Sequence, residues 1–115
     1  MAVTRTVTIT MSPIFRDLIT ELMAGHRNLD VVGELDSRDG LEEQLRVFAP
    51  DLILIGLSKY ESDEIGLSLV RLLPTAKVIA FSSDGRDAFV YHMQPQRTAL
   101  RNVSPQVLID TFLGS

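Results

Sequence analysis

Side chains that could carry chemistry are few in this 115-residue sequence, and most of them lie in short polar segments that follow apolar runs. Glu61, Asp63 and Asp84 place carboxylates in such segments, while Ser82 and Arg101 offer a hydroxyl and a guanidinium near the ends of two further runs. Converging carboxylates could hold a hard divalent cation, and a hydroxyl beside a cation could bind an anion. The sequence has no cysteine, which excludes thiol catalysis, disulfides and cysteine-ligated zinc.

Other signals for chemistry are weak. His26 and His92 stand apart from acidic residues in the sequence, so surface positions are expected for them rather than roles as bases or metal ligands. The Ser-Pro-Ile-Phe segment at 12–15 lacks the glycines of a phosphate-binding loop, which disfavours nucleotide or flavin binding. A net charge of -4 and a pI near 5.0 argue against a surface that grips nucleic acid or anionic lipid.

Alternating strands and helices would position these side chains. Ser12 and Ser104, each followed by proline, have the pattern of a helix N-cap with proline at the first helical position. The continuous apolar run from Leu52 to Ile55 predicts a central strand of a parallel sheet that helices cover on both faces. The remaining segments are predicted as strands at 3–10, 30–35, 77–82 and 98–101 and as helices at 39–48, 62–73 and 86–93.

This alternation predicts an α/β doubly wound fold and one domain that covers residues 1–115. The reactive crevice of such a fold lies at the carboxyl ends of the strands, so the loops after strands one, three, four and five are expected to matter most. The longest apolar stretch, Leu52 to Leu57, is too short to span a bilayer, and a cytoplasmic location is expected.

Three segments, together with Ser12-Pro13, resemble the receiver domains of bacterial response regulators, most closely the branch with a C-terminal helix-turn-helix domain. PDLILIGL at 50–57 is similar to that branch's third strand, usually PDLVLLDL, and KVIAFSS at 77–83 is similar to its fourth, usually KVIVLTA. LRNVSP at 100–105 is similar to its fifth strand and turn, usually LKDVSP. The resemblance implies a flavodoxin-like, five-stranded parallel sheet in the order 2-1-3-4-5, although the interval between Ser82 and Arg101 is shorter than usual.

A working receiver transfers a phosphoryl group to one aspartate, with two further acids for Mg2+ and with a hydroxyl and a lysine for the phosphoryl oxygens. The resemblance places the nucleophile at Gly56 and the acidic pair at Thr10 and Met11. The hydroxyl falls on Ser82 and the lysine on Arg101. Glycine has no side chain to phosphorylate, and threonine and methionine are poor ligands for a hard cation. The resemblance therefore implies a degenerate pocket with no catalytic residue, no metal and no cofactor.

The resemblance also implies a partner surface. In the family, the fourth helix, fifth strand and fifth helix form the usual partner and dimer face, which falls roughly on residues 89–112 and includes Phe89, Tyr91 and Thr98. We expect a protein partner or a homodimer through this helix 4 to helix 5 face. We expect no direct contact of this domain with nucleic acid or membrane.

The expected function is that of an atypical receiver, which acts in signal transduction or transcription regulation through phosphorylation-independent protein contacts and is not an enzyme. One alternative is a small-molecule or anion sensor that uses the degenerate pocket. Another is a phosphotransfer receiver whose acids have been relocated to Glu61, Asp63 or Asp84. Arg101 is expected to pair with Asp84 or Asp63, or else to bind an anion beside Ser82.

Overall fold

Strands and helices alternate along most of the chain in a computed structural model that describes residues 3–92 and 96–113. Within these residues the strands are β1 Thr4–Ile9, β2 Leu29–Leu35, β3 Leu52–Gly56, β4 Lys77–Phe81, β5 Asp87–His92 and β6 Gln96–Arg101. The helices are α1 Pro13–Ala24, α2 Leu41–Phe48, α3 Ile65–Leu72 and α4 Pro105–Phe112. No helix within the described ranges is long and apolar enough to cross a membrane.

The strands form one sheet in the order β2-β1-β3-β4-β5-β6. β1 pairs in parallel with β2 and with β3, and β3 pairs in parallel with β4. The side chains of Leu52 to Ile55 are completely or almost completely buried, which confirms that this apolar run is a central strand. The α/β class, the mostly parallel sheet and the order 2-1-3-4 agree with the predictions.

Successive strand residues point to opposite faces of the sheet, so a strand that is apolar throughout needs cover on both faces. Helices supply this cover on each side. Leu52 and Leu54 face a core that α1 and α4 close, while Ile53 and Ile55 face a second core closed by α2 and α3. Serine caps begin two of these helices as predicted: the Ser12 hydroxyl accepts a hydrogen bond from the Phe15 backbone N–H at 3.3 Å, and Ser104 caps α4 in the same way.

The predicted helix at 86–93 is wrong, since this segment contains strand β5. β5 lies antiparallel to β4, and β6 lies antiparallel to β5, so the predicted fifth strand is not a parallel neighbour of β4. A tight turn makes this possible: Gly85 has a φ of 72°, and its N–H donates to the Ser82 carbonyl at 2.9 Å. A parallel return would need a crossover of about a dozen residues or more, and the chain between Phe81 and Gln96 already holds β5.

The apolar residues of β5 were predicted as a helix because they follow one another without polar residues between them. In the structure they are buried because both faces of β5 are covered. Ala88 and Val90 face the core beneath α1 and α4, while Tyr91 is buried in the other core, against which Phe89 packs. Four apolar residues in succession therefore belong to two buried faces of one strand, and they do not crowd one face of a helix. Met93, which was predicted to end this helix, lies outside the described residues.

Candidate functional site

A cavity opens at the carboxyl edge of the parallel strands, beside the first turn of α1. Its volume is about 480 Å³, and Thr10, Met11, Gly56 and Ser82 all line it. Four of the five residues that were predicted to form the degenerate pocket are therefore neighbours. Arg101 does not line this cavity.

Gly56 lies against the backbone of the β1–α1 turn. A Cβ atom on Gly56 would lie 2.7 Å from the Thr10 carbonyl oxygen and 3.1 Å from the Met11 Cα atom. Both of these neighbours are backbone atoms, so no rotation of a side chain would relieve the contact. Position 56 therefore lacks space for any side chain, in addition to lacking a nucleophile.

Thr10 holds this close approach in place. Its φ of 47° lies in the left-handed region, where a β-branched residue is rare, and its Oγ1 donates to the Gly56 carbonyl oxygen at 3.0 Å. The Thr10 backbone N–H donates to the Leu35 carbonyl oxygen at 2.8 Å. Bonds to β2 and β3 thus position the turn that occupies the space above Gly56.

Arg38, in the β2–α2 loop, lines a second opening at the same edge. Its Nη2 donates to the Gly56 carbonyl oxygen at 3.1 Å, to Thr10 Oγ1 at 3.4 Å and to Glu61 Oε1 at 2.6 Å. Partial burial lowers the pKa of the Arg38 guanidinium, which still keeps its charge at neutral pH because arginine titrates so far above it. A protein cation therefore occupies a set of oxygen atoms of the kind that could hold a hard metal ion.

Glu61 is held by its own loop as well as by Arg38. Its carboxylate forms an ion pair with the guanidinium and accepts the Ser58 backbone N–H at 3.1 Å. Arg38 was not among the predicted site residues, because the crevice was expected at the loops after strands one, three, four and five, and Arg38 lies in the loop after strand two. The signal was present, since Arg38 lies between two aspartates in a polar loop that follows a strand.

The Ser82 hydroxyl makes hydrogen bonds within the β4–β5 turn. It donates to Asp84 Oδ1 at 2.7 Å and accepts the Asp87 backbone N–H at 3.1 Å. The hydrogen bond from Ser82, followed by that from the Arg86 backbone N–H, lowers the pKa of the exposed Asp84 carboxyl. Ser82 therefore ends its strand with a satisfied hydroxyl.

Arg101 lies on β6, away from the cavity. Its Nη1 donates to Asp87 Oδ2 at 2.7 Å across the β5–β6 pair, and its guanidinium lies over the Phe89 ring. An internal carboxylate partner was expected, but the choice of Asp84 or Asp63 was wrong. The antiparallel hairpin explains the error, because it makes Asp87 and Arg101 direct cross-strand partners.

The relocated acids do not form one site. Glu61 contacts Arg38, the Tyr91 hydroxyl donates to Asp63 at 2.6 Å, and Asp84 bonds within the β4–β5 turn. Across residues 3–92 and 96–113, no three His, Cys, Asp or Glu side chains are grouped so that they could hold a metal ion.

The predicted helix 4 to helix 5 face consists of strands β5 and β6 and helix α4, without the helix that was predicted at 86–93. Phe89 and Tyr91 belong to β5, where Tyr91 is 5% exposed and packs its ring against Gly66 of α3. The Thr98 backbone pairs with Val90, and its side chain lies outside the described residues. Tyr91 is therefore a core residue and is not available to a partner.

Comparisons with known proteins identify the fold. No protein-family profile and no curated protein sequence matches the chain. Among solved structures, the signal receiver domain of the response regulator NarL from Mycobacterium tuberculosis aligns with a TM-score of 0.57 and 20% identity, over 72% of this chain and 68% of that one. The isolated receiver domain of RcsB from Salmonella enterica serovar Typhimurium, solved with the phosphomimetic BeF3-, gives 0.57 and 19% over 70% and 62%. The chain thus shares the α/β fold of response-regulator receiver domains.

Proposed function

We propose that this chain is a receiver-like signalling module that works through protein contacts, that does not accept a phosphoryl group and that is not an enzyme. The observation that carries the proposal is the 2.7 Å separation between the Thr10 carbonyl oxygen and a Cβ atom built on Gly56. The receiver fold supports a role in signal transduction. The proposal includes a role in transcription regulation, which the sequence resemblance supports. It also includes the cytoplasmic location expected from the sequence.

The contacts of Arg38 support the proposal because they disfavour binding of a divalent metal ion. Phosphoryl transfer in receivers depends on a divalent cation, and here the Gly56 carbonyl oxygen, the Thr10 hydroxyl and the Glu61 carboxylate already surround a guanidinium. A metal ion would have to displace this cation and break its bond to Glu61. The protein's own groups thus fill the space next to Gly56 and surround the oxygen atoms that a metal would need, while the cavity beside them stays open.

The edge of the sheet supports contact with a protein partner. β6 is the last strand in the order, and an edge strand offers unpaired backbone groups to another chain. Ala99 on β6 is exposed, and Val107 on α4 is 40% exposed. We propose β6 and α4 as the partner or homodimer surface, in place of the face that a fourth helix would have formed.

Intact-mass measurement after incubation with acetyl phosphate and Mg2+ tests the chemistry. The wild type should gain no phosphoryl mass. The variant Thr10→Asp/Met11→Asp/Gly56→Asp, which restores all three carboxylates, should also stay unlabelled, because the backbone of residue 10 still crowds position 56. Stoichiometric, Mg2+-dependent labelling of the wild type would reject the proposed function. Labelling of the triple variant alone would reject the steric account.

Analytical ultracentrifugation tests the proposed surface. If β6 pairs with a second copy, the wild type should associate as its concentration rises, and Ala99→Lys should weaken the association because lysine protects an edge strand. Val47→Lys is the matched control, since Val47 is 81% exposed on α2. A wild type that stays monomeric at high concentration would reject the homodimer and leave a different protein as the partner.

A further inference from the structure

The cavity at the carboxyl edge has the size and the walls of a small-molecule site. Its volume of about 480 Å³ falls within the range of ligand pockets, and most of its surface comes from apolar atoms. The rings of Phe15 and Phe81 meet edge to face on one side, with centroids 4.9 Å apart. Ile14 and Leu18, one helical turn apart on α1, extend this wall and remain 86% and 45% exposed.

The charge in this cavity is negative. Asp84 is the only ionisable side chain among the residues that line it. The Ser82 hydroxyl and the Arg86 backbone N–H both donate to its Oδ1, which leaves Oδ2 without a donor among the described residues. Arg38 and Arg101 are paired elsewhere, with Glu61 and Asp87. The charge of Arg86, by contrast, attracts the Asp84 carboxylate, although Arg86 does not line the cavity.

The start of α1 offers little to an anion. Pro13 has no backbone N–H, the Phe15 N–H donates to the Ser12 hydroxyl, and the Arg16 N–H donates to the Ser12 carbonyl oxygen at 2.8 Å. Most of the donors that make a helix N-terminus attractive to phosphate or carboxylate are thus absent or used.

We propose that this cavity binds a small amphipathic amine, with its apolar or aromatic body against Phe15, Leu18 and Phe81 and its protonated nitrogen on Asp84. The hydrogen bonds that lower the pKa of Asp84 favour its carboxylate form at neutral pH. The cavity thereby takes a cation where a working receiver would take a phosphoryl anion. The site is separate from the proposed function, since ligand binding and phosphoryl inertness do not depend on each other.

Titration of 15N-labelled protein with three probes of similar shape tests the site. 2-Phenylethylammonium should shift the backbone signals around the cavity, 2-phenylethanol should bind about three- to fivefold more weakly, and 3-phenylpropionate should bind most weakly. A carboxylate probe that binds as tightly as the ammonium, or shifts that fall outside the cavity, would overturn the proposal.

Two variants locate the charge. Asp84→Asn keeps an oxygen that can accept the Ser82 hydroxyl and the Arg86 N–H, so the turn should persist while the preference for ammonium over the alcohol disappears. Ile14→Lys, at a highly exposed position on the cavity wall, should abolish the same preference through repulsion.

Asp30→Asn is the matched control, because Asp30 is an exposed acid near the opposite edge of the sheet and its loss should change nothing at the cavity. An ammonium preference that survives in Asp84→Asn would overturn the assignment. Loss of binding in these titrations would leave the mass-spectrometric test of phosphorylation unaffected, so the two ideas can fail separately.

Discussion

The parallel strands β2-β1-β3-β4 and the antiparallel β5–β6 hairpin differ in how the chain connects one strand to the next. In the parallel part, each strand returns through a helix, and the carboxyl ends of the strands meet at one edge, where Thr10, Gly56 and Arg38 lie together. In the hairpin, a tight turn reverses the chain directly. Arg101, which the receiver pattern would bring to the crevice, therefore reaches Asp87 on the neighbouring strand. A local change of turn has moved one member of the expected pocket out of it.

Removal of the Tyr91 side chain should have the largest effect on this architecture. Tyr91 joins the hairpin to α3 by packing against Gly66, where a Cβ atom would lie 2.5 Å from the ring. Tyr91→Ala should lower the free energy of unfolding by about 3 to 5 kcal/mol in urea denaturation, as for other large buried aromatic residues. His92→Ala, at the exposed next position, should change it by less than about 0.5 kcal/mol. Equal effects at the two positions would contradict the strand alternation.

Gly56→Ala tests the parallel edge in the same way. The added Cβ meets backbone atoms of Thr10 and Met11, so we expect a loss of about 1 to 3 kcal/mol in the free energy of unfolding. Gly25→Ala is the matched control, because the nearest atom to its Cβ would be the Leu22 carbonyl oxygen at 3.8 Å. That change should be neutral or stabilising by up to about 1 kcal/mol. A tolerated alanine would show that position 56 has room for a side chain.

Arg101→Ala should have a small effect, because the Arg101 side chain is 60% exposed. We expect a loss of about 0 to 1 kcal/mol that shrinks as salt is added. Sulfate at constant ionic strength should leave the melting temperature of the wild type unchanged, since this cation already has a carboxylate partner. A sulfate-dependent rise that disappears in the variant would revive the anion-sensor alternative.

The smallest expected effect is on how the free energy of unfolding depends on acidic pH, and it comes from Asp84 in the β4–β5 turn. Hydrogen bonds from the Ser82 hydroxyl and the Arg86 N–H hold the pKa of Asp84 below its ordinary value. This contribution to stability is present above the pKa of the unfolded chain, about 4, and is lost as the pH falls through the lower pKa of the folded state. Asp84→Asn should therefore flatten the acid side of the stability curve measured by urea denaturation. A curve as steep as that of the wild type would rule out this source.

The parallel part of the fold could be read from the sequence because its signals are local and agree with one another. Ser12-Pro13 caps a helix, and the apolar run at 52–55 can only be buried between two helical layers. The hairpin was missed because Ala88 to Tyr91 are apolar at both helical and strand spacing. The Asp84-Gly85 turn was the signal that could have decided between them.

The candidate site could be predicted only in part for a related reason. Residue types alone showed that Gly56 has no nucleophilic side chain and that Met11 is a poor ligand for a hard cation, but they did not show that backbone atoms crowd position 56. The contact between Arg38 and Glu61 depends on how two loops meet above the sheet, and no spacing in the sequence encodes that distance. The ionised Asp84 facing an apolar wall likewise follows from the geometry of the hairpin turn.

The most direct test of whether the nucleophile and metal positions are blocked is a 15N–1H correlation spectrum recorded with and without beryllium fluoride and Mg2+. If the Thr10 backbone and the Arg38 guanidinium occupy the positions of nucleophile and metal, the signals of Thr10, Gly56 and Ser82 should not move beyond the small shifts caused by Mg2+ alone. Saturable shifts of these three signals that need both beryllium fluoride and Mg2+ would contradict the account, because they would show that the crevice still binds a phosphoryl analogue.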